Sequence, residues 1–100
     1  MTVQMVRFTV AEADVADVES AIDTMIAALH EAQPTGTRFA SCKLADGVTF
    51  LNVLELADGG PNPLPEIPEC RAFQQQLPNW TVEPPTPQAV AVIGSYQLFH

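Results

Sequence analysis

The side chains in this sequence that could carry chemistry are few, and they do not gather into a motif. Ser41 and Asn52 are the most informative, because apolar residues surround both. A hydroxyl and an amide in such a setting either satisfy one another in a partly wet interface or orient a bound molecule. Trp80, after Asn79, either lines a pocket for an aromatic ligand or closes the edge of a core. Tyr96 offers a phenolic hydroxyl at an interface rim or in a pocket. Arg38 can pair with Glu55 across two strands or take an anion at a pocket mouth. His30 is expected to complement the negative end of a helix rather than act as a base. Cys42 and Cys70 form neither a CxxC nor a metal-ligand spacing, and they read as two reduced, packed thiols. No Ser-His-Asp arrangement, metal cluster or glycine-rich phosphate loop is visible, so catalytic residues are not assigned and no metal site is expected.

Composition narrows the partners. Twelve acidic residues against four basic ones give a net charge of −8. Nucleic acids and anionic membranes are bound through basic clusters, so neither is expected here. The first residues lack the layout of a secretory signal, and no apolar run approaches the roughly 18 residues of a membrane span. A cytoplasmic location and a single domain over 1–100 are the expectations. The chain is 47% hydrophobic yet only 16% charged, against about 25% charged in an ordinary soluble domain. Apolar surface must therefore be hidden somewhere, and a subunit interface is one place to hide it.

Elements that would position these residues follow from periodicity. Residues 3–10 read as a strand with Val6, Phe8 and Val10 on one face. Val15, Val18, Ile22, Met25 and Leu29 fall on one helical stripe, with Asp14 as N-cap and Pro34 and Gly36 as the stop. Asp46-Gly47 between apolar runs over 37–45 and 48–57 predicts a hairpin with a two-residue type I′ turn. That turn sets Ser41 opposite Asn52, Lys43 opposite Phe50, Phe39 opposite Leu54 and Arg38 opposite Glu55. Residues 58–65 read as a loop and 69–77 as a short helix ended by Pro78, with Ile67, Cys70, Phe73 and Leu77 inward. Residues 89–96 read as the last strand, and 97–100 continue it or form a tail.

The order is strand, helix, strand, strand, helix, strand, an α+β fold of ferredoxin-like β-α-β-β-α-β type with a four-stranded antiparallel sheet. Right-handed crossovers put the first and third strands in the centre. The helices are expected on the face of Ala40, Cys42, Leu51 and Val53, where small residues permit close approach. Phe39, Phe50 and Leu54 would then lie on an open face, and covering them would take a second copy of the chain.

With this element order and length, the hairpin Leu44-Ala45-Asp46-Gly47-Val48-Thr49-Phe50 and the closing Val92-Ile93-Gly94-Ser95-Tyr96 resemble the dimeric α/β-barrel superfamily. Within it, the sequence is most similar to antibiotic-biosynthesis-monooxygenase-type proteins. The resemblance implies a homodimer, and it implies a function drawn from a varied group that includes cofactor-independent oxygenases and haem-degrading enzymes. Haem-degrading relatives join an Asn, a Trp and a His in one pocket. His30 at a helix end cannot be set beside Trp80, so no haem or other tightly held cofactor is expected. Two functions remain: binding of a small hydrophobic or aromatic molecule, or cofactor-independent monooxygenation of a polyketide or phenolic substrate. A cavity between sheet and helices with convergent polar groups would favour the second. The face assigned to the helices is poor in such groups, which favours the first.

Overall fold

The computed structural model describes residues 1–57 and 60–98, so the start of the 58–65 loop and the end of the 97–100 tail lie outside the described residues. Four strands and two helices run in the expected order: β1 (Thr2–Thr9), α1 (Val15–Ala32), β2 (Thr37–Lys43), β3 (Thr49–Leu56), α2 (Pro68–Trp80) and β4 (Thr86–Val90). The strands form one antiparallel sheet in the order β2-β3-β1-β4, with β1 and β3 central.

The β2–β3 register is the one read from the sequence, with Ser41 opposite Asn52 and Lys43 opposite Phe50. The turn that sets it is different. Gly47 takes a positive φ of 78° while Asp46 does not, so the turn is not type I′. The Asp46 carboxylate instead closes the loop by accepting from the Val48 and Thr49 backbone N–H groups at 3.0 and 2.9 Å and from Thr49 Oγ1 at 2.6 Å.

Three further element boundaries differ. Asp14 makes no side-chain cap, because a 3-10 turn (Glu12–Asp14) leads into α1 and sets it in helical backbone. Pro78 lies inside α2 and does not end it, since a proline in the last turn removes a single backbone donor. β4 is centred earlier than expected and contains Pro87, which an edge strand tolerates. It stops at Val90 because Val90 pairs with Val3, and β1 begins one residue before that. Residues 91–98 have run past their partner strand.

The largest correction concerns the faces of the sheet. Phe8 stacks on Phe50 with ring centroids 5.3 Å apart, and Phe73 of α2 meets Phe8 edge-on at 6.2 Å. Lys43, which shares Phe50's face, reaches Glu19 of α1 at 3.2 Å. The helices therefore cover the face of Phe39, Phe50, Asn52 and Leu54, not that of Ala40, Cys42, Leu51 and Val53. Burial free energy grows with apolar area, so the two helices stabilise more on the aromatic face than on the face of small residues. Val18, Met25, Cys70, Phe73 and Leu77 complete the core, in keeping with their helical stripes.

Candidate functional site

Because the helices lie over the aromatic face, Asn52 points into the protein. Its neighbours across the register are Val6 on β1 and Ser41 on β2, and only 9% of its surface is exposed. Ser41 Oγ donates to Asn52 Oδ1 at 2.5 Å. Among the described residues nothing accepts from the amide nitrogen, and no fully buried side-chain nitrogen or oxygen is without a partner. The amide nitrogen is therefore not sealed off, and Asn52 is one of the residues lining a cavity of about 340 Å³.

The cavity sits between the sheet, α2 and the segment preceding α2. Val6, Phe39 and Leu54 form its floor, Met25 and Phe73 reach in from the helices, and Leu64 and Pro65 close one side. Polar groups meet there too: Gln4 from β1, Asn62 from the preceding segment, and Arg71 and Gln74 from α2. The Arg71 guanidinium is steadied by donating from Nη1 to the Pro65 carbonyl at 3.1 Å. Cys70 also lines the wall, and burial, helped by the neighbouring Glu69 charge, pushes its thiol pKa up. It is accordingly a protonated, weakly reactive group at neutral pH.

Of Asn52, Ser41, Trp80, Tyr96, Arg38 and His30, the polar and aromatic candidates read from the sequence, this cavity collects Asn52 alone, with Cys70 beside it. Ser41 acts behind it as hydrogen-bond donor and itself borders a groove beside α1. Trp80 packs at the core edge against Phe73, ring centroids 5.9 Å apart, and does not line the cavity. His30 occupies the last turn of α1, as expected, beside a shallow groove with Leu29 and Thr37. Arg38 pairs with Glu55 at 3.7 Å on the open sheet face. Tyr96 is 78% exposed beyond β4. Cys42 is exposed rather than packed, and neither cysteine forms a disulfide. Gln4, Asn62, Arg71 and Gln74 join the site without being singled out by the sequence. Gln4 alone has a readable signal, its two-residue spacing from Val6 and Phe8 on one strand face.

An amide donor set in an apolar wall can orient a planar molecule and stabilise negative charge developing on one of its oxygens. Among the described residues no group of three or more His, Cys, Asp or Glu could hold a metal ion, and no helix is long and apolar enough to cross a membrane.

No protein-family model and no curated protein sequence matches the chain. Solved structures do. A Nitrosomonas europaea protein named as a candidate antibiotic biosynthesis monooxygenase superposes with a TM-score of 0.77 at 16% identity, over 94% of this chain and 100% of that one. A second N. europaea protein, NE2512, of unknown function, gives 0.73 at 13% identity over 95% and 91%. SnoaB from Streptomyces nogalater, a cofactor-independent oxygenase solved as an asparagine-to-alanine variant, gives 0.69 at 15% identity over 96% of each chain. The chain has the ferredoxin-like fold of antibiotic-biosynthesis-monooxygenase-type proteins.

Proposed function

We propose that the protein binds a small, largely apolar aromatic molecule in the cavity between sheet and helices, with Asn52 as the orienting donor and without a tightly held cofactor. The observation that carries this reading is the pair of unaccepted Nδ2 hydrogens on a side chain otherwise nine-tenths buried. Such an amide is costly in apolar surroundings unless something accepts from it. A ligand oxygen placed in the cavity would accept from it.

The same observation favours a second reading, cofactor-independent oxygenation of a phenolic or polyketide substrate. The polar groups that converge on the cavity support this second reading, and oxygen uptake decides between the two. Where a CH₂ lies between two activating rings, its oxidation by O₂ gives a carbonyl and water, and the substrate supplies all four electrons. The protein then need only hold the substrate, exclude bulk water and donate a hydrogen bond to the oxygen on which negative charge grows. Asn52 is suited to that donation. Similarity to a cofactor-independent oxygenase adds support at the level of fold.

We also infer a homodimer. The open sheet face carries Met5, Leu51 and Val53, half-buried within one chain, beside the exposed Ala40 and Cys42. Ile93 and Leu98 project from the segment after β4, at 100% and 64% exposure. A second copy packed on this face would cover both sets. A reducing cytoplasm suits an exposed Cys42 without a disulfide.

Thermal-shift screening with phenols and aromatic polyketides, followed by oxygen-electrode assays in cofactor-free buffer, tests the reading. Stabilising ligands should be found for the wild type and lost with Asn52→Leu. Oxygen uptake that depends on Asn52 selects the second reading over the first. A screen in which no aromatic raises the melting temperature contradicts both.

A further inference from the structure

We propose that Arg71 makes this cavity selective for aromatic carboxylates, a reading of the ligand's chemistry that rests on the cavity being the binding site. Among the described residues lining it, Arg71 is the one charged side chain. Arg38 and Lys43 each have a carboxylate within 4 Å, Glu55 at 3.7 Å and Glu19 at 3.2 Å, whereas Arg7, on the open sheet face away from this cavity, and Arg71 do not. Arg71 has none among the described residues, although Glu66 and Glu69 flank it in a sequence with three acids for every base. A cation without a counter-ion, at the mouth of an apolar cavity in so acidic a chain, calls for an explanation in terms of what enters.

Geometry narrows the anion. One guanidinium nitrogen is spent on the Pro65 carbonyl, itself part of the cavity wall, which fixes the group in place and leaves its remaining N–H donors available. A planar guanidinium fork matches a carboxylate through two parallel hydrogen bonds. A carboxylate is also ionised at neutral pH without assistance, whereas a simple phenol, with a pKa near 10, is not. The side chain is exposed, so the acid group would sit at the rim while the ring system fills the apolar interior toward Phe73 and Leu54. Asn52 would then meet a neutral oxygen deeper in. The two polar ends would fix the ligand's orientation, and the acid would decide which ligands are admitted.

The test compares 2-naphthoate with 2-naphthamide, which share ring and shape and differ in charge, by calorimetric titration of the full chain at neutral pH. Wild type should bind naphthoate about tenfold more tightly than naphthamide, the scale of one hydrogen-bonded charge pair. Arg71→Gln should abolish the preference, so that naphthoate and naphthamide bind the variant equally, and Arg71→Lys should restore part of it. Equal affinities in the wild type, or a preference that survives in Arg71→Gln, overturn the role of Arg71 and leave the cavity reading intact. If neither compound binds the wild type, the cavity reading fails and this inference fails with it. Should Arg71→Gln not fold, the wild-type ratio and the Arg71→Lys titration still decide.

Discussion

Removing the Ser41 hydroxyl takes away the donor that Asn52 Oδ1 accepts, and it leaves a nearly buried amide with one fewer partner. Ser41→Ala should cost about 1 kcal/mol in chemical denaturation, because stranding a polar group costs more than deleting it. Asn52→Leu deletes it. That variant should fall within about 1 kcal/mol of wild type while losing any ligand that stabilises the parent. A large loss of stability in Asn52→Leu would show that the amide serves the fold and not a ligand. At this scale the pair itself is legible in the sequence, because the hairpin register alone sets the two residues opposite one another. Arg71 and Gln74 are not. Both lie on α2, and a helical stripe announces only its buried members such as Cys70 and Phe73, while cavity rims are built from the residues beside the stripe.

Among the elements, the β2–β3 hairpin depends on one carboxylate. The hydrogen bond from Thr49 Oγ1, with the backbone donors of Val48 and Thr49, holds the Asp46 pKa below its ordinary value. A group whose pKa is lowered on folding stabilises the native state above its unfolded pKa, and that contribution is lost as the pH falls through the native value. The melting temperature of wild type should therefore drop on acidification from about pH 5 to pH 3 by more than that of Asp46→Asn. The variant should start lower at neutral pH and run flatter. Parallel curves for the two proteins would remove Asp46 from the turn's energetics. Asp-Gly predicts both the hairpin and its register, yet not the turn geometry, since positive φ at Gly47 combined with a side-chain acceptor closes the same loop. The last strand escapes sequence reasoning for a different reason. Prolines usually forbid a strand, but at the sheet edge Pro87 needs no hydrogen-bonding partner on its outer side.

For the molecule as a whole, strand order and the inward stripes of the two helices follow from periodicity and the handedness of crossovers, while the sheet face that completes the core does not. Handedness decides on which side of the sheet a helix lies, but not which alternate set of side chains points there. The charges of Arg7, Arg38 and Glu55 on the opposite face are the available clue. The correction moves the expected dimer interface to the face of Met5, Leu51 and Val53. Val53→Lys, at the centre of that face opposite Met5 and Ala40, should convert a dimer to a monomer by light scattering at micromolar concentration. A wild type that is already monomeric contradicts the dimer. With the helices on the aromatic face Asn52 points inward, and the proposed function places ligand binding at that amide. That placement is tested most directly by titrating 2-naphthoate into ¹⁵N-labelled protein and following the side-chain NH₂ signal of Asn52, assigned by its loss in Asn52→Leu. This signal should shift saturably and in step with the backbone amides of Phe73 and Val6. Saturable shifts confined to Met5, Leu51 and Val53, with the Asn52 signal unmoved, would contradict binding at the amide.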